Sequence, residues 1–151
     1  EMSTESWDEV VNVNLRACFL LSQAVAREMI RRNIRGKIIN MASMQSFQGG
    51  MLIAAYTAAK SGLAGLTRAL AVEWAPLGIS VNAIAQGYMA TELTEPIMKD
   101  PIRNRQVLDR IPAGRWGTPD DLKGAAVFLA SEASNYLHGT ILCVDGGWLA
   151  R

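Results

Sequence analysis

Apolar side chains recur at Trp7, Val10, Val11, Cys18, Leu21, Val25 and Met29, close to the helical period, and predict a long first helix. Ser3 or Ser6 can cap its start, and Ser6 with Glu9 has capping-box spacing. Asn14 interrupts the stripe. Arg31, Arg32, Asn33, Arg35 and Gly36 predict its end, with cations against the negative pole of the helix and a glycine to break it. Residues 37–41 form a continuous run rather than an alternating one, which suits a parallel strand buried on both faces. A polar, glycine-bearing loop over 43–53 leads to a second helix over 54–76. That helix carries its stripe at Ala59, Leu63, Leu66, Leu70 and Trp74 and is stopped by Gly78. A second strand is predicted over 80–85 and a third over 141–144.

Between them, 86–119 is irregular. Residues 89–108 hold one or two short amphipathic helices broken by Pro96 and Pro101. A long excursion from a rigid sheet suits a lid. Pro119 can open a last helix to about 131, with Thr118 as its cap and Asp120 and Asp121 at its positive end. Strand, helix, strand, helix, strand predicts an α/β fold with right-handed crossovers and a parallel sheet. Ligands of such sheets bind beyond the carboxyl ends of the strands. Ser43, Gln86-Gly87 and Asp145 all follow predicted strand ends.

Composition narrows this picture. The chain has 151 residues, which suits one domain over 1–151, and half of them are hydrophobic. A net charge of +1 argues against an electrostatic nucleic-acid binder. No run of about eighteen apolar residues predicts a membrane span, and the polar, acidic start is unlike a signal peptide, so a cytoplasmic location is expected. Cys18 and Cys143 lie in apolar surroundings and are expected as buried free thiols. His138 is the single histidine, so no metal site is expected.

The candidate chemistry sits at Tyr56 and Lys60, four residues apart on the second predicted helix, with Ser43 thirteen positions before Tyr56. Residues i and i+4 share a helix face. An ammonium beside a phenol eases its deprotonation, so such a tyrosine can exchange a proton with a carbonyl or alcohol oxygen. Ser43 can hydrogen-bond the same oxygen. Carbonyl/alcohol interconversion also needs a hydride carrier. Taken singly, Ser43 could merely start a turn, Tyr56 could merely pack, and Asn14 reads as a structural amide satisfied locally.

Four segments in order, Asn40-Met41-Ala42-Ser43, Tyr56-Thr57-Ala58-Ala59-Lys60, Val81-Asn82-Ala83-Ile84 and Val144-Asp145-Gly146-Gly147, resemble the short-chain dehydrogenase/reductase family. The resemblance runs from Ser3 to Arg151. It implies the C-terminal part of a Rossmann-like parallel sheet flanked by helices. It makes Tyr56 the general acid/base, Ser43 the group that polarises the substrate oxygen, and Lys60 both the tyrosine's partner and a ligand of the nicotinamide ribose. It makes Asn14 the fourth catalytic residue, which bends its helix and holds a water linked to the lysine. Gly87, Tyr88, Met89 and Thr91 match the loop that packs on the nicotinamide, with Thr91 toward its carboxamide and phosphate. The implied cofactor is NAD, with NADP open. Gln86 stands where the family usually has proline, so this loop is expected to be less fixed.

Ser46-Phe47-Gln48-Gly49-Gly50, Ile111-Pro112-Ala113-Gly114-Arg115-Trp116-Gly117 and Asp145-Gly146-Gly147-Trp148-Leu149-Ala150-Arg151 resemble members that act on deoxy sugar acids. The implied substrate is a keto/hydroxy pair such as 2-dehydro-3-deoxy-D-gluconate, with Gln48, Tyr88 and Trp148 as pocket candidates; packing or a loop hydrogen bond explains each of these equally well. Alternatives are a reductase for gluconate or for a 3-oxoacyl carrier-protein thioester, or a non-catalytic piece that only associates with subunits. The family's glycine-rich turn, Thr-Gly-x-x-x-Gly-x-Gly, does not occur here, nor does the residue that selects NAD over NADP. The chain is therefore expected to lack the N-terminal dinucleotide-binding half and, alone, to be inactive. A homo-oligomer, tetramer or dimer, is implied, and strand 37–41 is expected to be an open edge.

Overall fold

A computed structural model describes residues 2–151. Its frame is a three-stranded sheet in the order β1 (Gly36–Ser43), β2 (Ile79–Gln86), β3 (Ile141–Val144), parallel throughout. The register makes the carboxyl ends flush: Ser43 pairs with Gln86, and Gln86 with Val144. The central strand is buried from Ile79 to Ala85, the signature of a strand covered on both faces.

The first helix forms as three joined pieces: α1 (Thr4–Val11), a π-helical turn (Asn12–Arg16) and α2 (Ala17–Arg31). Ser3 is the cap, accepting from the Ser6 N–H at 3.2 Å, so the Ser6–Glu9 box does not form. The helix stops at Asn33, not at Gly36. Asn33 takes the left-handed conformation (φ 54°), and Ile34 N–H reaches back to the Met29 carbonyl at 2.8 Å. Asparagine tolerates this conformation because its short side chain bonds locally. Gly36 instead opens β1, where an added Cβ would lie 2.4 Å from the Met29 sulfur.

The second long helix, α3 (Ala54–Trp74), is followed by a 3₁₀ turn and by Gly78 at φ 78°. Ala26 of α2 with Leu70 and Ala71 of α3 packs on Ile79 and Val81. After β2 come the short helices α4 (Glu95–Lys99) and α5 (Pro101–Leu108), then α6 (Lys123–Ala130), whose Leu129 is fully buried. Thr118 and Asp121 cap the approach to α6 reciprocally. Both cysteines are free, but the expectation that both are buried fails: Cys18 is half-buried and Cys143 exposed. β3 is an edge strand, and Cys143 falls between the half-buried Leu142 and Val144. Among the described residues no helix is long and apolar enough to cross a membrane.

The buried amides of Asn40 and Asn82 are paired, whereas Thr57 Oγ1 and Trp148 Nε1 are buried without a hydrogen-bond partner among the described residues. Asn40 donates to Thr67 Oγ1 at 2.9 Å, and Thr67 donates to the Leu63 carbonyl at 2.8 Å. Asn82 is 1% exposed; it donates to the Leu137 carbonyl and accepts from Thr140 N–H, both at 2.9 Å, which sets the entry into β3. Asn82→Ala leaves two backbone groups without partners and is expected to cost about 2–4 kcal/mol. Urea unfolding followed by circular dichroism checks this; an unchanged midpoint would contradict the role of Asn82.

Candidate active site

The site is assembled where the strands end. Ser43 closes β1 in an extended conformation (φ −154°, ψ 160°), 5% exposed, and its Oγ accepts from Gln45 N–H at 3.2 Å. Ser43 thus starts a turn, and because the Gln45 N–H uses an acceptor lone pair, its own O–H stays free to donate. The turn is stitched to α3 by Ser46 Oγ donating to the Lys60 carbonyl (2.7 Å) and Ser61 Oγ donating to the Gln45 carbonyl (3.3 Å).

Tyr56 lies in the first turn of α3, half-buried, and Lys60 one turn on. Lys60 is buried as a residue; its ammonium donates to the Met41 carbonyl at 2.8 Å and sits 5.5 Å from the centre of the Tyr56 ring. Burial pushes Lys60 below the ordinary lysine value of 10.5, opposed by the nearby Cys18.

Ser43, Tyr56, Gln86, Gly87, Tyr88, Met89 and Thr91 line one cleft of about 740 Å3. Gly87 must be glycine, since a Cβ there would come 2.7 Å from the Asp145 Cα. Gln86 is the last residue of β2, paired on both sides, not part of a loose loop. Tyr88 sits between two tryptophans, 5.3 Å from Trp116 and 4.9 Å from Trp148. Its backbone carbonyl accepts from Gly117 N–H at 2.9 Å, and Ala90 N–H donates to the Gly117 carbonyl at 2.7 Å. Thr91 caps the following turn, its hydroxyl 3.3 Å from Thr94 Oγ1.

Other sequence candidates fall elsewhere. Asn14 lies in the π-helical turn, and its amide donates to the Val10 carbonyl at 3.0 Å, a local satisfaction. The next residue, Leu15, packs so closely on α3 that a Cβ on Gly62 would lie 2.9 Å from it. Gln48 is half-buried outside the cleft lining. Trp148 is buried behind Tyr88 in a cluster with Met44, Val107, Ile111 and Trp116, with the Arg110 guanidinium 4.0 Å from its ring. Sequence reasoning passed over Gln45 and Arg103, which line the cleft. Nothing at the single-residue level marked them.

The chain matches the family model described as enoyl-(acyl carrier protein) reductase over residues 1–149. It belongs to the short-chain dehydrogenase/reductase family. It is 57% identical over 151 residues to a 2-dehydro-3-deoxy-D-gluconate 5-dehydrogenase of Dickeya dadantii, covering all of this chain and 60% of the relative. A crystal structure of a candidate 2-deoxy-D-gluconate 3-dehydrogenase from Agrobacterium tumefaciens with bound NADP superposes with a TM-score of 0.98 at 57% identity, over 100% of this chain and 61% of that one. A gluconate 5-dehydrogenase from Burkholderia cenocepacia in complex with NADP and tartrate gives 0.96 at 43% identity, over 99% and 58%. The chain thus spans about 60% of the length of the relatives it matches.

Lys60 provides a test by pH. Its folded-state value is depressed, so the folded protein binds this proton less tightly than the unfolded chain. Stability therefore rises as pH climbs from the folded value toward 10.5, and the cost of burying the ammonium is fully present below that window. The unfolding free energy of the native chain minus that of Lys60→Met is expected to stay flat near neutrality and to increase through the alkaline window. Denaturant titrations across pH measure it, and a flat difference throughout would contradict the assignment.

Proposed function

We propose that this chain provides the proton-transfer part of a nicotinamide-dependent oxidoreductase that interconverts a hydroxyl and a ketone on a deoxy sugar acid such as 2-dehydro-3-deoxy-D-gluconate. The supporting observation is Lys60, held by the Met41 carbonyl beside the Tyr56 ring, next to a cleft that Tyr56 shares with Ser43. Tyr56 gives its phenolic proton to the substrate oxygen in reduction and takes it back in oxidation. Ser43 donates a hydrogen bond to the same oxygen. Lys60, with donors left after Met41, stabilises the phenolate. Asn14 is proposed to act through the bend it sits in.

The residues present fit one side of a nicotinamide dinucleotide. The Lys60 ammonium and the Tyr56 hydroxyl would hold its ribose, and Gly87, Tyr88, Met89 and Thr91 would wall the nicotinamide side. Such a cofactor, NAD or NADP, exchanges a hydride with the substrate carbon. The relatives' names support sugar acids, and the NADP held by two relatives supports the cofactor class. These 151 residues contain no glycine-rich phosphate turn, so turnover is proposed for the full-length protein.

Tyr56→Phe in the full-length protein is expected to lower kcat by about 10²–10⁴-fold while dinucleotide affinity changes little, because the hydroxyl moves a proton. Steady-state assays with sugar acids and acyl thioesters, with cofactor titration, check this. Retained turnover removes Tyr56 from the role, and a preference for the thioester overturns the substrate class.

A further inference from the structure

We infer that Arg103 is the carboxylate anchor of the cleft: its guanidinium takes the acid group of a small hydroxy- or keto-acid whose reacting oxygen stands at Tyr56 and Ser43. The inference rests on the proposed sugar-acid chemistry and adds the residue that recognises the acid. Among the described residues, Arg103 is the one ionised side chain lining this cleft; the rest of the wall is apolar or uncharged. An acid entering such a wall needs a cationic partner, since an unpaired carboxylate is costly to desolvate.

The neighbouring cations are already engaged. Lys99 pairs with Glu95 at 2.8 Å, Arg105 with Asp109 at 2.8 Å, and Arg110 stacks on Trp148. The nearest acidic residue in sequence, Asp100, caps α5, with its Oδ1 accepting from Ile102 N–H at 2.9 Å and Arg103 N–H at 3.1 Å. Among the described residues no carboxylate lies within ion-pairing distance of the Arg103 guanidinium.

Its backbone is nevertheless fixed. The adjacent Asn104 accepts from Trp116 Nε1 at 2.8 Å, and Val107 is buried with Trp116 and Trp148. The planar fork of arginine matches a carboxylate in two parallel hydrogen bonds. A phosphate of the dinucleotide offers similar chemistry, so the test must separate the two anions.

The experiment compares the full-length protein with Arg103→Met and Arg103→Lys. D-Gluconate and 2-dehydro-3-deoxy-D-gluconate are each assayed against their C1 amides at saturating dinucleotide, and the dinucleotide is titrated separately. Arg103→Met is expected to raise KM for the acids about tenfold to hundredfold, the loss of a charge-assisted bidentate contact. The amides should be little affected, Arg103→Lys should recover part of the loss, and the dinucleotide KM should hold. Weakened dinucleotide binding with an unchanged acid KM would assign Arg103 to the phosphate and overturn the inference. If the unsubstituted protein prefers the acids and Arg103→Met keeps that preference, this inference alone falls. If the unsubstituted protein shows no preference for acid over amide, the substrate class falls with it.

Discussion

Lys60 is a buried residue, and an ammonium drawn out of water must be hydrogen-bonded or its desolvation goes uncompensated. It finds the Met41 carbonyl of β1 at 2.8 Å. That bond, with the two serine bonds between α3 and the turn after β1, fixes the start of the helix against the end of the strand. Tyr56 and Ser43 are carried on those two pieces. Their shared cleft therefore follows from how one lysine is satisfied. Small residues make the approach possible: Ala55 and Ala59 are buried on α3 with at most 1% exposure, and Gly62 admits Leu15 from the π-helical turn.

The other wall depends on the flush ends of the sheet. Ser43, Gln86 and Val144 lie in one register, so three loops leave the sheet at the same level. Gly87 allows the chain after β2 to press on Asp145, and Asp145 turns the chain after β3 by accepting from Gly147 and Leu149 N–H groups. Tyr88 is clamped between Trp116 and Trp148, and Trp116 holds α5 through Asn104. The excursion over 86–119 is thus docked by aromatic packing and brings Arg103 to the cleft.

Much of this was legible because it depends on period and spacing. The three strands, the crossovers and the Tyr56–Lys60 pair are local patterns. The resemblance implied a bend at Asn14, but its π-helical form was not legible from pattern: Asn12 and Asn14 mark polar interruptions, and one inserted residue in a helix has no composition of its own. The stop at Asn33 lost to Gly36 in the reading because glycine is the commoner breaker, whereas close packing of Met29 explains that glycine. Cys143 was misread because its apolar neighbours do not reveal which strand is an edge. Gln86 was read through an absent proline ring, and its pairing with Ser43 and Val144 at the end of β2 was not part of that reading. Arg103 and Trp148 illustrate the general limit. Whether a side chain faces a cleft or fills a core behind it depends on how the excursion docks, which no local spacing encodes.

The central claim is that Tyr56 and Ser43 address one substrate oxygen at the ends of these strands. A crystal structure of the full-length protein with a nicotinamide dinucleotide and a sugar acid tests it most directly. The account predicts the reacting oxygen within about 2.6–3.2 Å of both the Tyr56 and the Ser43 hydroxyl. A sugar acid bound with its reacting oxygen out of reach of Tyr56 would contradict it.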